Sequence, residues 1–353
     1  MVGDAGLDVV VRTPALPAPG GDARARIAEG VGGAGANTAA WLAACGASPV
    51  LVSRVGDDAA ADRVRSSLAA AGVQCAFAVD PVAPTCRVVV VVDDTGQRTM
   101  LADRGAAGLL SPTDVRLAGA VHLHLSGYVL LDPSSAPAGV AALARARAAG
   151  ITTSVDPQAA ALLADPGPFL AAVAGVDLLL PSAGELATLG TAESLLDVVG
   201  AVAVTSDVSG ATWVDRRGRV TVPSEPAEVV DSTGAGDAFD AGLLTAWLAG
   251  APPAEALRAG VRAGARAVAR PGARPPRPGA DIPPGAGGRP GPDADGSSRA
   301  GASGSPPAAA GGPPGAGTDR PGAGAGDPPG AGGRGAGRRC GRAAAGPWVG
   351  SGP

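Results

Sequence analysis

The chain predicts an α/β fold: a three-layer sandwich with a mostly parallel central sheet and a small β lid, followed by a C-terminal tail too poor in apolar residues to build a core. Three observations predict it. Short Val- and Leu-rich runs alternate with Ala/Leu/Arg stretches as far as about residue 270. Two segments break that alternation with extended residues alone. From about Pro271 onward Pro, Gly, Ala and Arg take over the composition. Strand and helix patterns in strict alternation are the signature of βαβ units, whose strands lie parallel.

In chain order, the clearest strands are Val50–Val55, Val88–Val92, Val121–Leu125, Thr152–Val155, Val176–Leu180 and Val202–Thr205. The two exceptional segments, Val9–Glu29 and Ala76–Met100, lack an intervening amphipathic helix and are expected to form a flanking lid sheet. The run Val88-Val-Val-Val-Val92 needs burial in the core or against a partner, since an open apolar strand edge invites pairing. The first strand looks clipped, because Met1 stands almost directly before the Gly3-Asp4 turn. Residues 1–274 are thus expected to form one domain. Residues 275–353 are expected to be a disordered tail, because such composition cannot offset the entropy of ordering it.

Charge and cysteine usage narrow the function classes. The net charge is −4 and the chain contains no lysine, so every basic side chain outside histidine is arginine. The tail is cationic but lacks interleaved aromatics, which argues against nucleic acid as a partner. No apolar run reaches bilayer length and no signal peptide is visible, so a cytoplasmic protein without membrane contact is expected. Cys45, Cys75, Cys86 and Cys340 form no metal-binding spacing and read as reduced thiols. His122 and His124 alternate along one strand and share a face; sheet-face histidines are favoured there over a metal pair.

The stretch Asp231-Ser-Thr-Gly-Ala-Gly-Asp-Ala-Phe-Asp-Ala-Gly242 carries the chemistry. Gly234 and Gly236 let backbone approach a ligand closely, and a helical run, Ala238–Leu248, comes next. Unpaired N–H groups and the positive end of the helix dipole suit an anion. Asp237 can accept a proton from a hydroxyl. A second string, Gly32-Gly-Ala-Gly-Ala-Asn37, joins glycines to an amide that can bind hydroxyls and leads into an Ala-rich helix.

The first string resembles the second signature of the ribokinase-like (PfkB) carbohydrate kinases, departing only at Ser232, and the Gly32–Asn37 string resembles that family's first signature. The resemblance implies a ribokinase-like sandwich and ATP-dependent phosphorylation of a hydroxyl on a sugar or related small polyol. Asp237 would be the base, and Gly234, Ala235 and Gly236 would supply donors to the transferring phosphoryl group. Asp8, Gly32, Gly33 and Asn37 would hold the sugar. Arg98 would touch substrate or phosphate, with a solvated hairpin arginine as the alternative.

For the nucleotide, the resemblance implies Ser182, Thr205, Asp207 and Gly210. Ser182 replaces the usual Asn, and Asp207 stands where glycine is usual. Glu185 would organise Mg²⁺ through water, although a capping box between Ser182 and Glu185 explains the same pair locally. Asp231, with carbonyls near Ala269–Ala273, matches a monovalent-cation (K⁺) site, or simply caps the turn. Relatives of this kind also imply a homodimer through the lid. His122-Leu-His-Leu-Ser-Gly-Tyr128 lacks the extra carboxylate of ribokinases proper, so Ser126 and Tyr128 are expected to meet a different hydroxyl pattern. A catalytically silent sugar or nucleotide sensor is the competing reading, motivated by Ser182 and Asp207.

Overall fold

The computed structural model describes residues 1–15, 20–94, 98–206 and 209–276. Asp207 and residues 277–353 of the expected tail therefore lie outside the described residues. Among the described residues the strands, in chain order, are β1 (Gly6–Arg12), β2 (Arg26–Gly32), β3 (Val50–Gly56), β4 (Gln74–Asp80), β5 (Cys86–Val92), β6 (Arg98–Asp103), β7 (His122–Ser126), β8 (Thr152–Asp156), β9 (Leu178–Leu179), β10 (Ala201–Thr205), β11 (Ala211–Asp215) and β12 (Gly218–Val222).

The larger sheet is parallel where the sequence alternates strand with helix. β7, β8, β9 and β10 pair parallel in that order, and β3 pairs parallel with β4. Val2 joins these two groups, bridging Val52 of β3 and Leu125 of β7. Its N–H donates to His124 O at 2.9 Å and its carbonyl accepts from Ser126 N at 3.0 Å. At the other edge an antiparallel hairpin, β11–β12, turns at Arg216-Arg217 and makes the sheet mixed.

Helices cover both faces. Alternation along the strands sends Leu123, Leu125, Val155, Leu179 and Val202 into a core shared with Ala142 and Leu143 of α4 (Ala136–Ala148). The opposite face sends Leu178, Leu180, Ala203 and Trp213 against Phe239, Leu243 and Leu244 of α8 (Ala235–Leu248) and Leu257 of α9 (Pro253–Val268). Glycines bring α8 and α9 close. A Cβ on Gly242 would meet Ala259 O at 2.5 Å, and one on Gly260 would meet the Phe239 ring at 2.8 Å. On this second face the strands are polar as well. His122 and His124 hydrogen-bond Thr152 and Ser154 across β7 and β8, and burial lowers the pKa of both rings, His122 to about 4.

A second, four-stranded sheet has the order β2-β1-β5-β6. β1 pairs antiparallel with β2 and parallel with β5, and β5 pairs antiparallel with β6. Its boundaries differ from the sequence reading in two places. Residues 76–80, assigned to the lid segment 76–100, belong to β4 in the large sheet, because Gln74–Asp80 can bury one face beside β3. The first lid strand starts at Gly6 rather than Val9, so Asp8 lies inside β1, in register with Gly30 and Val88. Val90 and Val92 of the apolar run are buried.

Candidate active site

Three elements bring the predicted residues together: β1, helix α1 (Ala34–Ala44) and helix α8. Gly234 sits at the N-cap of α8 with φ +76°, a left-handed conformation that strains any residue with a Cβ. A Cβ there would also meet Ala273 O at 2.3 Å. The helix therefore begins at Ala235 rather than Ala238, which puts Gly236 and Asp237 in its first turn, where N–H groups have no intrahelical acceptor.

Asp237 faces α1. Its Oδ1 accepts a hydrogen bond from Thr38 Oγ1 at 2.7 Å, and the Asn37 side chain bonds the same carboxylate. Burial raises the Asp237 pKa to about 6 despite those two bonds, and the nearby Asp8 charge pushes the same way. A carboxylate that titrates near 6 is a stronger base than an ordinary aspartate and is still ionised at neutral pH.

Asn37 is itself buried, and its Oδ1 has no hydrogen-bond partner among the described residues. A buried amide oxygen costs free energy unless a donor reaches it, which fits a ligand hydroxyl. Gly33, at φ +94°, starts α1 and lets the chain cross Asp4, whose carbonyl a Cβ would meet at 2.6 Å. Gly32 lies against Asp8; a Cβ there would be 2.1 Å from its carboxylate. Burial raises the Asp8 pKa, opposed by the Arg274 charge.

Of the residues that the resemblance gives to the nucleotide, Ser182, Thr205 and Gly210 are brought to one strand end. Ser182 forms a parallel bridge with Thr205, and Thr205 N donates to Pro181 O at 3.0 Å. Gly210, at φ +90°, packs where a Cβ would meet Val222 O at 2.1 Å and closes its turn through Ser206 N to Gly210 O. Ser182 and Glu185 do form a capping box on α6 (Ala183–Leu189): Glu185 Oε2 accepts from Ser182 N at 2.8 Å, and Ser182 Oγ accepts from Glu185 N at 3.3 Å. Only one Glu185 oxygen is used in that box.

Arg98 of β6 is not a free hairpin arginine. It reaches from the lid to the signature loop, donating to Ser232 Oγ and Thr233 Oγ1 and pairing with Asp231 at 3.5 Å. Asp231 also accepts from Thr233 N, Thr233 Oγ1 and Gly272 N, which is the turn-capping arrangement. Burial works to raise its pKa, yet those bonds and Arg98 hold it below the usual value.

Sequence reasoning missed several residues of this site. Thr38 was one. Asp4 is buried and gripped by Arg104 through Nε at 3.0 Å and a terminal nitrogen at 2.8 Å; Arg104 also binds Asp132 at 2.6 Å. Trp41 Nε1 donates to Ala273 O at 2.9 Å, tying α1 to the segment after α9. Beneath Asp237, Asp156 and Asp240 form a buried carboxyl pair whose pKa values lie well above normal, Asp156 through burial and the charges of Glu185 and Asp237, Asp240 through burial and the charges of Asp156 and Asp237. Charge alternation in the signature flags Asp240, but nothing in the sequence places the others near it.

A family model described as pfkB family carbohydrate kinase matches residues 1–280. An ATP-dependent ribose-1-phosphate kinase of Halopiger xanaduensis is 34% identical over 253 residues, covering 68% of this chain and 81% of that protein. A Klebsiella pneumoniae fructokinase is 33% identical over 63% of this chain and 78% of its own length. Among solved structures, a Sinorhizobium meliloti adenosine kinase superposes with a TM-score of 0.69 at 27% identity, covering 78% of this chain and 94% of that one. An Escherichia coli protein assigned as ribokinase II, solved with ATP and Mg²⁺, gives 0.70 at 27% identity over 77% of this chain and 92% of its own.

Proposed function

Since the chain belongs to the PfkB family of carbohydrate kinases, we propose that it transfers the γ-phosphoryl group of ATP to a hydroxyl of a sugar or related small polyol, with Asp237 as general base. The observation that carries this reading is the pairing of a base titrating near 6 with the orphaned acceptor Asn37 Oδ1 beside it. When bound, ATP with Mg²⁺ supplies the phosphoryl group and neutralises its charge.

The residues of the chain do the rest. Asp8 and Asn37 hold the sugar so that one hydroxyl meets Asp237, and Gly32 and Gly33 keep the wall there free of side chains. As the new O–P bond forms and the bond from γ-phosphorus to its bridging oxygen breaks, the hydroxyl proton passes to Asp237. Of the three expected donors, the N–H groups of Gly234 and Gly236 serve the charge that develops, while that of Ala235 donates to Ser232 O at 3.3 Å. Ser182, Thr205, Asp207 and Gly210 flank the nucleotide, and the remaining oxygen of Glu185 is suited to the waters of Mg²⁺. Asp231 is the weaker cation candidate, since its turn donors already engage it.

The silent-sensor alternative gains nothing from Ser182, whose capping box leaves a Glu185 oxygen uncommitted. We place the protein in the cytoplasm, where ATP is available; no described helix is long and apolar enough to cross a membrane. A homodimer through the lid is supported by one face on which Ile27, Val11 and Val91 line up in register beside Val9, Val89 and Leu101, with Ile27 67% and Leu101 62% exposed. Sedimentation of the wild type against Ile27→Asp tests it: a monomer in both sinks the dimer.

The function is tested by ATP consumption across ribose, fructose, adenosine and ribose 1-phosphate. Turnover of at least one, lost in Asp237→Asn, is the expected result. ATP or sugar binding without turnover of any would favour the sensor.

A further inference from the structure

We propose that Thr38 is a positioning residue for Asp237, its hydroxyl switching between two acceptors as that carboxylate gains and loses its proton. The inference rests on the reading of Asp237 as base, and its geometry is independent of any substrate.

Thr38 Oγ1 stands 2.7 Å from Asp237 Oδ1 and 2.9 Å from the carbonyl of Ala34, one turn back on α1. A hydroxyl has one proton and cannot serve both acceptors at once. While Asp237 is ionised, the charge-assisted bond is the stronger, so the proton points at the carboxylate. Once Asp237 takes a proton, the hydroxyl can turn to Ala34 O, and its oxygen then offers a lone pair to the new carboxyl O–H. In both states Asp237 keeps a partner in the same place and need not rotate between turnovers. Thr38 is fully buried, so water does not substitute for it.

The setting makes this bond consequential. The other ionisable groups around Asp237 are Asp8 on β1, Asp156 on β8, Asp240 one turn along α8 and the phenol of Tyr128. All are neutral or negative, so none favours an ionised Asp237. Thr38 and Asn37 are the groups that do. Asn37 has an evident second task in its unpartnered Oδ1. The Thr38 hydroxyl is taken up by Asp237 and the Ala34 carbonyl, which leaves holding the base as its task.

The test is a ¹³C titration of aspartate-labelled, full-length protein without substrate, the Asp237 carboxyl being assigned by its loss in Asp237→Asn. The wild type should titrate near 6. Thr38→Val keeps the shape and removes the hydroxyl, and should move the midpoint up by about one unit, the scale of one charge-assisted hydrogen bond. Thr38→Ser should restore it to within a few tenths. Should Thr38→Val fold poorly, Thr38→Ala gives the same reading with less crowding. A midpoint that stays within a few tenths of wild type in the folded Val or Ala variant overturns the proposal, as does a Ser variant that behaves like Val. Turnover by Asp237→Asn would sink the base assignment instead and leave the titration result standing.

Discussion

Asp237 pays for its basicity in stability, and that trade can be measured at one residue. Its folded-state pKa, about 6, lies above the roughly 3.9 of a free aspartate. The stabilising contribution is therefore fully present below about pH 4 and is lost as pH rises through 6. Two consequences have opposite signs. The rate constant kcat/KM should rise with pH through about 6, as the base ionises. Asp237→Asn should lower kcat by about 10²–10⁴-fold while raising Tm at pH 8 by a few degrees, an increase that shrinks toward pH 4. A thermal scan at the two pH values checks the second, and an unchanged or lower Tm at pH 8 contradicts it. Asp237 was legible because twelve consecutive residues announce it. Thr38 was not, since its partner lies 199 positions away and a threonine early in an Ala-rich helix has no local mark. Arg104 and Asp4, 100 positions apart, were hidden in the same way.

At the level of elements, two joints decide whether the site closes. Gly234 is the first. Alanine there would carry a left-handed backbone, at about 1–2 kcal/mol, and would press a methyl on the Ala273 carbonyl. Gly234→Ala should lower Tm by several degrees and abolish turnover together, whereas Gly236→Ala, with open space around its Cβ position, should leave Tm within about a degree. Arg98 is the second joint, linking β6 of the lid to the loop at 231–233. The pair is partly exposed, so Arg98→Gln should change Tm by under about two degrees. It should nonetheless raise KM and speed proteolysis between β5 and β6, because the lid loses its hold on the loop; unchanged cleavage and KM would argue that Arg98 only decorates the surface. Periodicity revealed the parallel strands to within a residue or two. It did not reveal β4 as a large-sheet strand, since Gln74–Asp80 alternates as a lid strand would, nor the β11–β12 hairpin, whose Arg216-Arg217 turn lacks the usual Asn-Gly signal.

For the molecule as a whole, composition separates the domain from the long C-terminal stretch. Removing residues 277–353 should leave Tm and kinase activity unchanged, because that stretch offers few large apolar side chains to pack. Loss of activity in a soluble truncated protein would show that the boundary is misplaced. The residues that make the site come from widely separated parts of residues 4–274, which is why strand alternation foretold the scaffold and only motif strings foretold the chemistry.

The bond from Trp41 to the Ala273 carbonyl, together with Gly234 lodged against that residue and Gly272 bonded to Asp231, has a consequence during synthesis. The first helix of the domain and its signature loop both wait for the segment that ends the domain, the last part of it to emerge from the ribosome. Nascent chains arrested before residue 274 should be catalytically mute, however much of the sandwich has already formed. Chains arrested once residue 274 has cleared the exit tunnel should already turn over.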